Sequence, residues 1–307
     1  MKRKKQRSRL KKLSWLTLLV LVGVGAAVYL YFLHNPASLY PTPSADIPQN
    51  HQQSPSLSAQ NRHPGKPSRP FDIPPKLGIS QGIDGKKPFI AIVIDDMGYR
   101  DENGVQMLAV NLNLSFAFLP FAPHTADQAA IAHDLGRDIL LHLPLEPTDR
   151  KWEPGPGTLF LSMNARQRNE TFLKDLAAVP MAIGVNNHMG SRFTEDRAAM
   201  KNLLQHFRAN NLFFLDSLTT PNSVGYSLAK EMGVEAIRRN IFLDNEQDKD
   251  KIVSQLEKLI RIAEKQGFAV GIAHPHKETI MALMEYKDKL NKRVNLVGIH
   301  SLLEMNE

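Results

Sequence analysis

The sequence predicts an α/β fold with a parallel sheet, most simply a (β/α) barrel of seven or eight units. Apolar, β-branched runs alternate with helical patterns from residue 87 to the end. Such continuous apolar runs are typical of parallel strands that are buried on both faces. The domain has about 220 residues, which is the usual size of a barrel. A doubly wound open sheet is the alternative, but no glycine-rich phosphate-binding motif follows the first run.

Each β/α unit can be placed approximately. Asn164 is expected to open a helix that stops near Pro180, and the apolar spacing of Lys249–Gln266 predicts another, with Gly267 just beyond its end. The expected strands are Phe89–Ile94, Leu114–Leu119, Asp138–Leu143, Ala182–Asn186, Leu212–Leu215, Ala236–Phe242, Ala269–Ala273 and Val294–Gly298.

The N-terminal region predicts a membrane anchor. Residues 1–13 carry eight Lys and Arg and no acid, and residues 14–33 follow as a mostly apolar stretch about long enough to cross a bilayer. The basic flank predicts a cytoplasmic N-terminus and a single transmembrane helix. A cleaved signal peptide is the alternative. It is less favoured because apolar residues continue beyond Ala26 and Ala27, where a cleavage site would fall.

The segment between the anchor and the barrel is expected to be a disordered linker. Eleven of the 20 prolines lie between Pro36 and Pro88, and residues 34–86 are rich in Pro and Ser and poor in apolar side chains. The predicted domain then spans residues 87–307. In a bacterium with two membranes, this arrangement predicts an inner-membrane protein with its C-terminal domain in the periplasm.

Charge and cysteine content exclude some classes of function. The net charge of +7 comes from 38 Lys and Arg against 31 Asp and Glu, and without the eight N-terminal charges the balance is 30 against 31. The basic character therefore belongs to the anchor, and no nucleic-acid partner is expected. Cysteine is absent, which excludes disulfides, thiolate metal ligands and a cysteine nucleophile.

Asp95 and Asp96 form the most informative position in the sequence. They end the first apolar run, and parallel α/β folds place their chemistry at the carboxyl ends of strands. Two adjacent carboxylates are costly there unless a cation or a shared proton is present. They therefore suggest a metal site or acid–base chemistry. A helix N-cap is the alternative reading, although one Asp would be enough for that purpose.

Histidines occur at several further strand ends. Because barrel closure brings strand ends into one ring, these imidazoles and nearby acids suggest a zinc-like divalent metal held by two or three His and one Asp. A proline after His274 favours an extended backbone there, which would direct His274 and His276 to one side, although a turn would separate them. The remaining candidates for contacting substrate or supporting the ligands are His124, Glu146, Asn187, Arg192 and Asp216.

Five short segments, each at or near the end of a predicted strand, follow one another along the chain. They are Val93–Gly98, Leu141–Pro147, Asn186–Arg192, Phe214–Ser217 and Gly271–His276. In these segments the chain resembles the divergent polysaccharide deacetylases. The resemblance extends from about residue 87 to the C-terminus. It implies a distorted or incomplete barrel related to metal-dependent deacetylases of N-acetylated sugars.

The resemblance also implies roles for single residues. The first Asp of the family's Asp-Asp motif is the general base and the second binds the metal, which gives these roles to Asp95 and Asp96. Characterised deacetylases take two metal histidines from an H-x-x-x-H motif, but here only His142 is present and Glu146 stands four residues later. The third ligand is then expected to be His188, with His274 or His276 as the alternative.

The implied function is removal of acetyl groups from an envelope carbohydrate, such as peptidoglycan, with a divalent metal, expected to be zinc, as cofactor. His274 corresponds to the family's catalytic acid, and Asn187 or Arg192 would stabilise the oxyanion. The alternative function is a non-catalytic periplasmic module that binds a glycan or an envelope protein on a degenerate barrel.

Overall fold

The computed structural model describes residues 84–99 and 101–305. The predicted cytoplasmic segment, anchor and linker at 1–13, 14–33 and 34–86 lie outside this part, apart from residues 84–86. There the backbone N–H of Asp84 donates to Asn295 Oδ1 at 3.2 Å, and Asn295 Nδ2 donates back to Asp84 O at 2.9 Å. None of the described helices is both long and apolar enough to cross a membrane.

The described residues form one sheet in which every pairing is parallel. The strands match the predicted positions closely, except in the stretch after residue 235. They are β1 Phe89–Met97, β2 Ser115–Phe118, β3 Ile139–Leu145, β4 Gly184–Met189, β5 Phe213–Asp216, β6 Ala236–Arg238, β7 Ile241–Phe242, β8 Phe268–Ala273 and β9 Asn295–Leu296.

Helices connect the strands. The helix predicted to begin at Asn164 is present, and it starts with a capping box in which Asn164 and Gln167 exchange side-chain to backbone hydrogen bonds. Gly267 ends the long amphipathic helix in the left-handed region at φ 91°. The helices are α1 Asp101–Leu108, α2 Thr125–Asp134, α3 Ala165–Ala178, α4 Arg197–Ala209, α5 Gly225–Glu231, α6 Lys249–Gln266, α7 Lys277–Arg293 and α8 Ile299–Glu304.

The sheet is an incomplete barrel, as predicted. Its order is β6-β5-β4-β3-β2-β1-β8-β7, with β9 pairing the start of β1. The two outer strands, β6 and β7, follow each other in the chain and are separated only by Arg239 and Asn240. Because two residues span a short distance, the edges must lie close together, and the sheet curls towards closure without a hydrogen-bonded seam.

The prediction of one strand at Ala236–Phe242 is wrong. The backbone N–H of Arg239 donates to Asp216 O at 3.0 Å on the β5 side, whereas that of Asn240 donates to Val270 O at 2.9 Å on the β8 side. The chain therefore leaves one edge of the sheet and joins the other within two residues. An apolar run cannot reveal this change, because both short strands are apolar.

The curled sheet separates two apolar clusters. The larger lies between the sheet and helices α1–α7, and includes Ile92 and Leu141. The smaller lies on the inner side and contains Val93 and Leu140, with Leu302 from α8 packed against them. Since strand side chains alternate in direction, the inner side continues towards the carboxyl ends with polar residues two positions further along. This alternation positions the candidate site.

Candidate functional site

A backbone irregularity brings Asp95 and Asp96 to the same site. Neighbouring residues in a regular strand face opposite sides, but β1 carries one extra residue relative to β2 between Ile94 and Met97. Asp96 also has φ 55°, a left-handed conformation that Asp tolerates better than most residues. As a result, Asp95 Oδ2 lies 3.7 Å and Asp96 Oδ1 lies 3.2 Å from His142 Nε2.

Strands β3 and β4 supply the two imidazoles. His142 lies beside Asn186, and Pro144 lies beside His188, in the parallel register. His142, Asn186 and His188 therefore face the same inner side, because the register aligns them and they alternate by two along each strand. His142 and Asn186 are almost completely buried.

Three ligand-type atoms form a nearly equilateral triangle. His188 Nδ1 lies 3.0 Å from Asp96 Oδ1 and 3.1 Å from His142 Nε2, and the third side is the 3.2 Å contact between Asp96 and His142. Asp96 Oδ1 is buried and has no hydrogen-bond partner in the described part of the chain. One carboxylate oxygen and two ring nitrogens are the ligand set expected for zinc and similar metals.

Asn186 determines which nitrogen of His142 is available. Its Nδ2 donates to Asp95 Oδ1 at 2.8 Å, so its Oδ1 is directed at His142 Nδ1, 2.9 Å away. An amide oxygen only accepts, which requires the proton of His142 to be on Nδ1. The lone pair of a neutral His142 is then on Nε2 and faces the triangle. Metal-binding histidines are commonly oriented by such a contact.

The ionisable groups of the site shift one another's pKa values. Burial would lower the pKa of His142, but the charges of Asp95 and Asp96 outweigh it and raise that pKa. Burial raises the pKa of Asp95, against the opposing effect of His142 and His274. Desolvation also opposes ionisation of Asp96, yet the two imidazoles hold its pKa below the ordinary range. The site is therefore built around a localised positive charge beside Asp96.

A second group of similar composition contains Asp244, His274 and His276, with ligand-type atoms within 4.8 Å of one another. Both oxygens of Asp244 already accept hydrogen bonds. Oδ1 lies 2.9 Å from His274 Nδ1, and Oδ2 accepts from the His274 backbone N–H at 2.6 Å and from Thr279 Oγ1 at 2.8 Å. This arrangement orients the His274 imidazole, and three of the acceptor positions of the Asp244 carboxylate are already occupied by hydrogen bonds.

The His274-Pro275-His276 segment forms a turn. The backbone N–H of His276 donates to His274 O at 2.8 Å, so the predicted extended geometry is wrong. The rings still lie near each other, with centroids 5.7 Å apart. Contact with Asp244 raises the pKa of His274 to about 9, overcoming a desolvation effect that would lower it.

Sequence reasoning missed Asp244. It follows β7 by two residues and therefore sits at a strand end, like the other site residues. The prediction treated β6 and β7 as one strand, so the end of β7 was not recognised as a strand end. Arg239 was also missed. Its guanidinium donates to the carbonyls of Ser217 and Leu218 at 2.6 and 2.8 Å and stacks on Phe242, which holds the loop after β5 beside the site.

Glu146 and Arg192, which sequence reasoning placed near the substrate, lie beyond the triangle. Arg192 Nη1 contacts Glu146 Oε1 at 2.6 Å, and Glu146 Oε2 accepts from the Leu161 backbone N–H at 2.6 Å. Glu146, the residue that the sequence resemblance places where a second metal histidine was expected, is paired with an arginine. His124 precedes α2 and belongs to neither His–Asp group.

Asn187 and Asp216 bind the backbone around the site. Asn187 faces away from its neighbours Asn186 and His188, donates to Met189 O at 2.8 Å and accepts from the Ser217 backbone N–H at 2.9 Å. Asp216 is fully buried and accepts from the backbone N–H groups of Leu218 and Tyr226 and from Ser223. These contacts orient the loops after β4 and β5, and they occupy the Asn187 amide that was expected to face an oxyanion.

Comparison with known proteins gives consistent results. The family model for divergent polysaccharide deacetylases matches residues 92–303. The uncharacterized protein YibQ of Escherichia coli K12 is 36% identical over 214 residues, covering 70% of this chain and 67% of YibQ. An uncharacterized protein of Haemophilus influenzae Rd is 38% identical over 214 residues, covering 69% of this chain and 76% of its own length. The crystal structure of uncharacterized protein ATU2773 from Agrobacterium tumefaciens C58 superposes with a TM-score of 0.68 at 25% identity, covering 70% of this chain and 89% of that one.

Proposed function

The chain belongs to the divergent polysaccharide deacetylase family, and from that premise we propose that it is a metal-dependent hydrolase that removes acetyl groups from an envelope carbohydrate. The observation that carries this proposal is the triangle of Asp96, His142 and His188, in which one carboxylate oxygen and two ring nitrogens lie 3.0–3.2 Å apart. The Asp95 carboxylate and the His274 imidazole, at the same rim of the sheet, would supply the acid–base groups that acyl transfer needs.

Asp96, His142 and His188 would hold the cation, with zinc as the first choice for this ligand set. A divalent cation bound there would polarise the acetyl carbonyl and lower the pKa of a water molecule. The chain supports such binding in two ways. Asn186 fixes the His142 tautomer, and the bulge in β1 places Asp96 Oδ1 in a buried position without a hydrogen-bond partner.

Asp95 would act as the general base. Asn186 holds one of its oxygens at 2.8 Å, and the other faces His142 Nε2 at 3.7 Å, beside the triangle. Its burial raises the pKa of the carboxyl above that of an ordinary Asp, which makes the carboxylate a better proton acceptor for a water molecule attacking the acetyl group.

His274 would act as the general acid. Asp244 binds its Nδ1 and raises its pKa to about 9, so the imidazole carries a proton at neutral pH. The leaving nitrogen or oxygen of the sugar must receive a proton when the acetyl bond breaks. His274 can supply it from Nε2, while Asp244 fixes the ring and stabilises its charge.

We further propose that the protein works in the periplasm, anchored in the inner membrane through residues 14–33. The basic flank and the uncharged stretch that follows it support this location. Fusion of a periplasm-dependent reporter to the C-terminus of the full chain tests the orientation. Reporter activity is expected, and activity only from a cytoplasm-dependent reporter would contradict the proposal.

Acetate release tests the function directly. The full chain, loaded with Zn²⁺, Co²⁺ or Mn²⁺, is incubated with N-acetylated and O-acetylated glycans, including peptidoglycan, and acetate is measured over time. Release that disappears in Asp95→Asn and His188→Ala is expected. Binding of glycan without release by any metal form would instead favour the non-catalytic module.

A further inference from the structure

A broad groove lies at the rim of the sheet just past the ends of β3 and β4, lined there by Glu146 and Arg192. Its volume is about 1090 Å³, and its walls come mainly from the segment 146–162 between β3 and α3. Ligand pockets for small molecules are about 300–1,000 Å³. The groove is therefore larger than a single acetylated sugar requires.

The groove is held in shape by the fold. Leu159 pairs with Leu145 of β3, and the Leu161 backbone N–H donates to the Glu146 carboxylate at 2.6 Å. Thr158 Oγ1 donates to Gly155 O at 2.6 Å, which closes the tip of the segment. A surface fixed in this way loses little conformational entropy when a ligand binds.

The groove begins beyond the ends of the two strands that carry the imidazoles. Glu146 follows His142 by four residues, and Arg192 follows His188 by four residues, so the two strands that carry the imidazoles both lead into the groove. The Glu146–Arg192 ion pair, 2.6 Å long, lies where they meet. Tyr99, from the loop that follows β1, lies against the groove wall, with its hydroxyl 3.4 Å from the position that a Cβ on Gly155 would take.

The lining has the chemistry of a sugar-binding surface. Trp152 is 63% exposed and Phe160 is 39% exposed, although large aromatic side chains are usually covered. Such rings offer flat apolar faces against which the C–H faces of sugar rings can pack, while polar neighbours bind hydroxyl groups. The four charged side chains of the lining, two acidic and two basic, balance one another: Glu146, Glu153, Arg150 and Arg192.

We propose that this groove binds several consecutive sugar rings of an uncharged, acetylated glycan chain, with Trp152 and Phe160 as stacking surfaces. The inference rests on the proposed function and specifies its substrate as a polymer without net charge. The balanced lining gives no attraction for a polyanion. Remote binding in the groove would then hold one acetyl group of the chain at the triangle.

Binding by the metal-free full chain tests the proposal without relying on catalysis. The protein is treated with EDTA and titrated calorimetrically with the hexamer of N-acetylglucosamine. Trp152→Ala is expected to weaken binding by about 10-fold or more, as for other exposed aromatic anchors. Met284→Ala is the matched control, because Met284 is 64% exposed and lies outside the groove, and it is expected to leave the Kd within about 2-fold.

A second groove variant, a charged ligand and an activity measurement complete the experiment. Phe160→Ala provides a second groove variant, and thermal melts check that both variants are folded. The proposal is overturned if the hexamer fails to bind, if neither groove variant weakens binding, or if a galacturonic acid hexamer binds as tightly as the neutral one. Acetate release separates this inference from the proposed function. Trp152-dependent binding without acetate release would contradict the proposed hydrolase activity and support the groove as a glycan-binding site. Acetate release that is unaffected by Trp152→Ala would support the hydrolase activity and contradict the role of the groove.

Discussion

Two groups at the same rim of the sheet, each with one Asp and two His, differ in where their hydrogen-bond donors point. In Asp96, His142 and His188, one carboxylate oxygen and two ring nitrogens face one another, and this Asp96 oxygen is buried with no hydrogen bond assigned to it in the described residues. In Asp244, His274 and His276, the carboxylate already accepts three hydrogen bonds. The first group is therefore the one that we propose binds a cation, whereas the second favours a proton on His274.

The largest expected effect comes from removing the Asp96 carboxylate. Asp96→Asn should reduce kcat/KM for acetate release by about 10³-fold or more, because a metal contributes several kcal/mol to the transition state. Asp244→Asn, the corresponding change in the other group, should leave metal binding intact. Equal loss of bound metal in both variants would mean that the two groups do not differ as described.

Loss of the proposed acid should have the next largest effect. His274→Ala should lower kcat by about 10²-fold or more with little change in metal affinity, since a positioned acid commonly contributes this much.

Asp244→Asn should change the pH profile for a related reason. His274 must be protonated to act, so activity is lost as the pH rises through its pKa of about 9. Removing the negative charge of Asp244 lowers that pKa, and the alkaline limb of the kcat–pH profile should move to lower pH. An unchanged limb would exclude His274 as the titrating acid.

A smaller effect is expected at Asn186, which is not one of the proposed metal ligands. Asn186→Ala removes the hydrogen bond that fixes the tautomer of His142, and it should weaken metal affinity by about 10-fold or more. Asn187→Ala is the matched control, because Asn187 is a neighbouring buried amide that faces the other side and binds only the β4 and β5 loops. Competition with a chelator measures both variants. A greater loss of affinity in the control would contradict the account.

Asp175 extends the comparison to a buried carboxyl to which no residue of the described part of the chain donates a hydrogen bond. Both its oxygens are buried there, and burial raises its pKa from 3.8 to about 8. The folded protein then binds this proton more tightly than the unfolded chain. As the pH rises from 4 to 8, the Asp175 contribution to the free energy of unfolding should therefore decrease, by up to about 1.4 kcal/mol per pH unit.

Asp175→Asn should remove this dependence, as measured by denaturant unfolding at several pH values. Asp216→Asn is the contrasting variant. Asp216 is equally buried but accepts several hydrogen bonds, so its replacement should not produce the same flattening. An identical pH dependence in wild type and Asp175→Asn would assign the effect to other groups.

The sequence predicted the parallel sheet and most strands because buried strands are continuous apolar runs. It also placed Asp96, His142 and His188 at strand ends, where the fold brings them together. It could not show that β1 contains a bulge, or that Asp216 and Asn187 support loops, because these features depend on pairing and backbone conformation. Asp244 was hidden because the crossing from β6 to β7 takes place within two residues and leaves no polar or turn signal long enough to detect.

Metal stoichiometry tests the central claim most directly. The full chain and its Asp96→Asn, His188→Ala and Asp244→Asn variants are equilibrated with Zn²⁺, freed of unbound metal and analysed for zinc. Wild type and Asp244→Asn are expected to retain about one ion per chain, and the other two variants close to none. A wild-type chain that retains no zinc, or zinc retained by Asp96→Asn and lost from Asp244→Asn, would contradict the assignment of the metal to Asp96, His142 and His188.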